Sequence, residues 1–122
     1  ALPFGIGRPN DYPVENVSFA VRLAAELGAD VVKTVFPTGG SVDDFKAIID
    51  AALVPVVVLG GAAMGDDEAL IRMVKNSMDA GASGIAIGRN VWQHANPPAI
   101  AAALSAIVHD DSSVETALKL VN

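Results

Sequence analysis

The sequence contains no cysteine, which excludes a disulfide framework and any metal site built from thiolates. Long apolar runs are also missing, since no stretch approaches the roughly 18 to 20 residues that a membrane span requires. The chain does not open with a basic segment followed by an apolar one, as a signal peptide does. We therefore expect a cytoplasmic protein that does not bind membranes.

Basic residues are few. The chain has 8 lysines and arginines and 14 aspartates and glutamates, which give a net charge of −6. A protein that binds nucleic acid or an acidic membrane surface needs a concentrated basic face. Neither is expected as a partner here. Any anionic ligand must instead be held by local groups.

Aromatic residues make up only 5% of the 122 residues, whereas hydrophobic residues of all kinds make up 52% and glycine occurs 11 times. This hydrophobic content supports a globular domain with its own core. Small side chains let helices lie close to a parallel sheet. The composition therefore suits an α/β protein.

Hydrophobic periodicity predicts strands and helices in alternation. The predicted strands are nearly continuous in apolar residues and cover 30–36, 54–59 and 84–88. Helices are predicted at 14–27, 41–53, 66–80, 89–93, 100–108 and 114–120. The second helix begins with Ser41 and Asp44 in the pattern of a capping box, and its apolar stripe runs from Phe45 to Leu53.

This alternation is typical of a parallel sheet whose strands are joined by helices. The opening residues "ALPFGIG" resemble a fourth strand. Because the chain begins with alanine inside this apparent strand, we expect residues 1–122 to be a single partial domain and a fragment of a longer chain. Side chains that carry chemistry should lie at the carboxyl ends of the strands.

Lys33 stands in the middle of the strand predicted at 30–36, although lysine is rarely buried without a partner. In a cleft, the loss of hydration favours a neutral amine, which can attack a ketone or aldehyde and form a Schiff base. Alternatively, the lysine reaches water near the strand end or pairs with Asp30, and the spacing leaves both interpretations open. Strand alternation places Val35 on the face of Lys33 and Phe36 on the opposite face.

Glycines cluster at the ends of the next two predicted strands, as Gly60 and Gly61 and as Gly88 followed by Arg89. Glycine lets the main chain approach a ligand, and the N-terminus of a following helix favours an anion such as phosphate. A phosphate cradle with Arg89 as its charge is one interpretation. Tight turns beside a solvated arginine are the other.

Three stretches in this order, "GADVVKT", "VPVVVLGGAA" and "GASGIAIGRNVWQ", resemble the class I aldolase superfamily of deoxyribose-phosphate aldolase and the archaeal-type fructose-bisphosphate aldolases. The resemblance covers nearly the whole chain, from Ala1 to about Val121, and the combination of three motifs is specific. It implies a (β/α)8 TIM barrel. This chain would form the C-terminal half of that barrel, about strands five to eight.

The resemblance also implies roles for individual residues. Lys33 matches the lysine that forms the Schiff base in the family, and Thr34 is expected to support it by orienting the amine or a bound water. The site that binds the substrate phosphate in the family corresponds here to Gly60, Gly61, Gly88 and Arg89. This agrees with the phosphate site expected after strands seven and eight of such barrels. The family implies a homo-oligomer and neither a metal nor a tightly bound cofactor.

Two features depart from the family pattern. At the strand that corresponds to "ALPFGIGR", the fructose-bisphosphate aldolase branch resembles "YPRG", with a tyrosine in proton transfer, and Leu2 or Pro3 stands there in this chain. The "GIG" before Arg8 is more similar to the branch that contains the thiolase of a phosphorylated autoinducer. In addition, the acidic residue that the family uses near its first strand would fall outside a C-terminal half.

We therefore expect a Schiff-base-forming aldolase, a carbon–carbon lyase, that acts on a small phosphorylated keto or aldehyde sugar. One alternative is a thiolase-type transfer of an acyl group from a phosphorylated diketone to coenzyme A by the same lysine. Another is a non-catalytic half-barrel that binds sugar phosphates. A metal-dependent enzyme is disfavoured, because no His, Asp or Glu stands at the strand ends after Lys33.

The other candidate residues are expected to be structural. Tyr12 precedes a proline and is interpreted as a turn residue. Trp92 is expected to pack on the helix layer rather than line the mouth of the barrel. His94 and His109 have no second ligand at metal-binding spacing and are expected at the surface.

Overall fold

A computed structural model describes residues 1–2 and 11–122 of the chain. Its strands are β1 (Val32–Thr34), β2 (Val56–Leu59) and β3 (Gly84–Ala86). Its helices are α1 (Val14–Glu26), α2 (Val42–Ala52), α3 (Asp67–Asp79), α4 (Arg89–Trp92), α5 (Pro97–Asp110) and α6 (Val114–Leu118). No helix in the described ranges combines the length and the apolar character needed to cross a bilayer.

The three strands form one parallel sheet in the order β1, β2, β3, with α2 and α3 as the connections. Lys33 is in register with Val57, and Val57 is in register with Gly84. The predicted alternation and the three described strands are confirmed, although each strand is shorter than predicted because fewer residues pair with a neighbour. Most of the fourth strand predicted from "ALPFGIG" lies outside the described residues.

Helix α2 begins with the capping box that the sequence predicts. The Ser41 hydroxyl accepts from the Asp44 N–H at 3.1 Å, and the Asp44 carboxylate accepts from the Ser41 N–H at 2.9 Å. The Ser41 N–H and the Ser41 hydroxyl, which donates to the same carboxylate at 2.8 Å, lower the pKa of the Asp44 carboxyl, because both bonds favour its charged form. The cap fixes where the chain turns back from the end of β1.

The apolar stripe predicted along α2 is correct for Phe45 and Ile48, which are buried, and wrong for Leu53. Leu53 is 79% exposed because α2 ends at Ala52 and Leu53 adopts the left-handed conformation, with φ 63°, as the C-terminal cap. A left-handed residue turns the chain away from the helix axis. The side chain therefore leaves the line of the stripe.

Two apolar clusters hold the layers together. In the first, α1 and α2 pack on β1 and β2, with Phe36 against Phe45 at a ring separation of 5.0 Å. In the second, α3, α5 and α6 pack on one another. Because the Phe36 ring packs against Phe45 of α2, its predicted face is confirmed.

The two faces of the sheet differ in their cover. Val32, Thr34, Val56 and Val58 point towards the helices and are buried. Lys33 and Val57 alternate with them and are exposed and half-buried, respectively. The sheet therefore presents an open face beside the carboxyl ends of its strands, and the candidate site lies there.

Candidate functional site

A cavity of about 620 Å³ opens where the three strands end. Its lining takes residues from every strand end, including Lys33, Val35, Gly60, Gly61, Gly88 and Arg89. Lys33 and Val35 thus share a face, as strand alternation predicts. Five of the six residues selected from the sequence meet in this cavity, and Thr34 is the exception.

Positive charge at the cavity is not neutralised within the described part of the chain. Arg22, Lys46, Arg72 and Lys75 each form an ion pair with a carboxylate. Neither Lys33 nor Arg89 does so with any described residue, and no carboxylate lines the cavity. Lys33 and Arg89, which have no carboxylate partner among the described residues, therefore lie at one place, where an anionic ligand would be attracted.

Lys33 is exposed, so the described residues do not bury its amine. The physical reason is the open face of the sheet, on which the described residues place no covering layer. Lys33 also borders a second hollow between β3 and α5, lined by Ile87 and Leu104. Lys33 thus borders two neighbouring hollows.

Thr34 lies on the opposite face of β1 from Lys33 and is fully buried. Its hydroxyl donates to the carbonyl oxygen of Ala1 at 3.0 Å. This bond fastens the start of the chain to β1. Any influence of Thr34 on Lys33 must therefore pass through the strand main chain. The sequence could have predicted this, because adjacent residues of a strand point to opposite faces of the sheet.

The loop after β2 offers main-chain donors to the cavity. Gly61 has φ +65°, a conformation that glycine adopts readily. The N–H groups of Gly61 and Ala62, both at the cavity wall, have no acceptor in the described ranges. Such free N–H groups are suited to bind an oxyanion.

Gly88 lies close to the indole ring of Trp92. A Cβ atom at Gly88 would lie 2.2 Å from Cη2 of the indole. Trp92 is 69% exposed and lines the cavity, so the expectation that it packs on the helix layer is wrong. The aromatic ring instead forms part of the cavity mouth.

Tyr12 also lines the cavity. Its N–H donates to the Thr38 hydroxyl at 3.1 Å, and its carbonyl oxygen accepts from the Thr38 N–H at 2.9 Å. These bonds belong to a loop residue, as the sequence indicates. They also hold the aromatic ring beside the end of β1.

Asn90 is a buried residue that sequence reasoning missed. Its amide nitrogen donates to the carbonyl oxygens of Gly60 at 3.0 Å and Ala62 at 3.1 Å. Its amide oxygen accepts from the Met64 N–H at 2.7 Å. Asn90 therefore ties the loop after β2 to the chain after β3, and no sequence spacing connects the two.

His94 is a second missed contact, since it is half-buried rather than a free surface residue. Its Nε2 lies 3.1 Å from Oδ1 of Asp67, and its Nδ1 accepts from the Asn96 N–H at 2.9 Å. The hydrogen bond with Asp67 raises the pKa of His94, because the carboxylate favours the imidazolium. This pair joins the end of α4 to the first turn of α3.

The fold and the site define an α/β protein with a lysine, an arginine and glycine-rich loops around one cavity at the carboxyl ends of parallel strands. Residues 7–94 match the model of the DeoC/LacD family aldolase. The chain belongs to this family, which confirms the resemblance seen in its three motifs.

Individual relatives agree with this assignment. The chain is 47% identical over 109 residues to a 2-amino-3,7-dideoxy-D-threo-hept-6-ulosonate synthase of Halobacterium salinarum, covering 89% of this chain and 40% of that protein. It is 38% identical over 116 residues to a 3-hydroxy-5-phosphonooxypentane-2,4-dione thiolase of Yersinia enterocolitica, covering 95% of this chain and 38% of that protein.

A solved structure extends the comparison to the fold. An archaeal fructose-1,6-bisphosphate aldolase, with its catalytic Lys covalently bound to the carbinolamine intermediate of the substrate, matches with a TM-score of 0.78 and 37% identity. The match covers 87% of this chain and 42% of that chain. The predicted α/β fold of the aldolases is thus confirmed. The chain spans about two fifths of the length of these relatives.

Proposed function

We propose that this chain carries the nucleophile and the phosphate site of a Schiff-base-forming aldolase that acts on a small phosphorylated keto or aldehyde sugar. Lys33 is the nucleophile, and the substrate phosphate binds at four residues: Gly60, Gly61, Gly88 and Arg89. One observation carries the proposal, namely that Lys33 and Arg89, neither of which has an ion pair among residues 1–2 and 11–122, line the same cavity. The family assignment supports it.

The reaction follows from the chemistry of a lysine amine. Nζ of Lys33, as the neutral amine, attacks the substrate carbonyl carbon and forms a carbinolamine, which loses water to give an iminium ion. The iminium accepts the electron pair of the bond between its α and β carbons as that bond breaks, the β-hydroxyl loses its proton to water, and that fragment leaves as an aldehyde. The enamine left on Lys33 gains a proton at its α carbon and returns to the iminium, which water hydrolyses to release the second product and the free amine.

The phosphate is held by charge and by main-chain donors. Arg89 supplies a guanidinium without a carboxylate partner in the described residues, and Gly61 and Ala62 supply free N–H groups. Charge-assisted bonds of this kind are about twice as strong as neutral ones. The arrangement orients the sugar between the phosphate end and Lys33.

We further infer that β1, β2 and β3 belong to the C-terminal half of a (β/α)8 barrel, within about strands five to eight. The exposed face around Lys33 supports this inference, since a closed barrel would cover it and exclude water from the amine. A cytoplasmic location, assembly as a homo-oligomer, and a supporting role for Thr34 stay predictions.

The experiment is a trap of the covalent intermediate. The native protein is incubated with dihydroxyacetone phosphate and reduced with borohydride, and its peptides are mapped by mass spectrometry. We expect an adduct on Lys33 and none on Lys119, another exposed lysine without a described ion pair. Saturable binding of the ligand without an adduct would overturn the aldolase proposal in favour of a sugar-phosphate-binding protein. Transfer of an acyl group from a phosphorylated diketone to coenzyme A, in a separate incubation, would indicate a thiolase.

A further inference from the structure

Asn90 directs its whole side chain to one loop. The residue is only 6% exposed, and its three hydrogen bonds reach Gly60, Ala62 and Met64 at 3.0, 3.1 and 2.7 Å. Both N–H bonds of its amide nitrogen are used, as is its oxygen. The amide therefore has a single favourable orientation, because rotation by half a turn would set its oxygen against two carbonyl oxygens.

Gly60 is shaped by the same contact. A Cβ atom at Gly60 would lie 2.9 Å from Nδ2 of Asn90 and 2.7 Å from Cγ2 of Ile87. Only a residue without a side chain lets the main chain come this close to the amide. Gly60 and Asn90 are thus joined by close packing and by a hydrogen bond, although they follow different strands.

The hydrogen bonds of Asn90 use two carbonyl oxygens of the loop and only one of its N–H groups. The amide takes the carbonyl oxygens of Gly60 and Ala62 and the N–H of Met64, whereas the N–H groups of Gly61 and Ala62 have no acceptor in the described ranges. Gly61 and Ala62 both line the cavity of Lys33 and Arg89. Fixing the carbonyls away from the ligand prevents them from repelling an anion.

We propose that Asn90 is a positioning residue that holds residues 60–64 in the form that receives the substrate phosphate. This inference rests on the proposed function, because it assigns a phosphate to the cavity. Asn90 acts through the loop main chain and does not touch the reacting carbonyl. Its loss should therefore weaken the phosphate contacts and leave the chemistry at Lys33 unchanged.

The test uses the Asn90→Ala variant of the native protein. Binding of inorganic phosphate and of dihydroxyacetone phosphate is measured by calorimetry, and borohydride trapping at Lys33 is timed with dihydroxyacetone and with its phosphate. We expect about 10- to 100-fold weaker binding of both phosphates, the size of two or three lost hydrogen bonds. Trapping of unphosphorylated dihydroxyacetone should keep the wild-type rate.

Two companion variants separate positioning from general stability. If Asn90→Ala does not fold, Asn90→Ser takes its place, because serine keeps a small polar group at this position. Asn90→Ser should bind phosphate with an affinity between those of the wild type and Asn90→Ala. Ser77→Ala removes another buried hydrogen bond, from the Ser77 hydroxyl to the Met73 carbonyl oxygen at 2.7 Å within α3, away from the loop. It should leave phosphate affinity unchanged. In the Asn90 variants the Met64 amide should exchange its hydrogen faster.

The outcomes distinguish this inference from the function on which it rests. Wild-type phosphate affinity in both Asn90 variants would overturn the inference and leave the aldolase proposal intact. An equal loss of trapping with the phosphorylated and unphosphorylated ketones would also overturn it, because a merely structural role predicts that result. A wild-type protein that binds neither phosphate would overturn the phosphate site and the inference together.

Discussion

Lys33 and Arg89 line one cavity although they belong to opposite edges of the sheet. Lys33 lies in β1, Arg89 follows β3, and β2 separates the two strands. Parallel strands all end on the same side of the sheet, so residues that follow different strands meet there. The two cations can therefore act on opposite ends of one small substrate.

Replacement of Lys33 by methionine should abolish turnover and leave phosphate binding within the wild-type range. Methionine has a side chain of similar length but no amine, so only the covalent step is lost. We expect a fall in kcat on the order of 10⁴-fold or more, as for other nucleophile deletions. Steady-state kinetics with calorimetry of phosphate binding provides the measurement. A variant with near wild-type kcat would refute the assignment of Lys33.

Replacement of Arg89 by methionine should act mainly on KM. The variant loses a charge-assisted hydrogen bond to phosphate, and we expect about a 10- to 100-fold rise in KM for the phosphorylated substrate. Lys119→Met is the matched control, since it removes an exposed cation away from the cavity. If both variants have the same KM, the phosphate does not bind at Arg89.

Much of this site follows from local sequence patterns. Apolar runs ending in glycine indicate buried strands and their carboxyl ends, and a lysine inside such a run is conspicuous because burial disfavours its charge. The positions of Lys33, Gly60, Gly61, Gly88 and Arg89 at one edge are therefore predictable. The face of Thr34 was predictable too, because side chains alternate along a strand.

Other features depend on contacts between loops that no local pattern encodes. In the sequence, Asn90 is an ordinary polar residue at the start of a helix. Its hydrogen-bond partners at 60–64 come close to it only because β2 and β3 pair. His94 finds Asp67 for the same reason, across the gap between α4 and α3. Lys33 and Trp92 are exposed because no described element packs over their side chains. Such packing depends on the tertiary structure and not on the local sequence.

Two glycine substitutions should differ in cost. At Gly60 the added Cβ would lie 2.7 Å from the half-buried Ile87, so Gly60→Ala should destabilise the protein by about 1–3 kcal/mol through overpacking. At Gly88 the clash is with the far end of the exposed Trp92 ring, which can swing away. Gly88→Ala should therefore cost less stability, as measured by urea unfolding.

The contact at Gly88 can be isolated with a second variant. Trp92→Ala removes the ring, so the pair Gly88→Ala and Trp92→Ala should be less destabilising together than the sum of the two single changes. Strict additivity would show that the indole does not restrict Gly88. A larger loss of stability for Gly88→Ala than for Gly60→Ala would contradict the ranking.

The pairing of His94 with Asp67 should make stability depend on pH. Because Asp67 raises the pKa of His94 in the folded protein, the stabilising effect of the pair is complete below the unfolded pKa of about 6.5. It is lost as the pH rises through the raised folded pKa. Asp67→Asn should lower that pKa, so the difference in Tm between wild type and variant should be largest near pH 6 and shrink towards about pH 9. Thermal unfolding across this range gives the measurement, with NMR titration of the His94 ring as the direct check. A Tm difference that stays constant with pH would show that the pair contributes no charge-dependent stability.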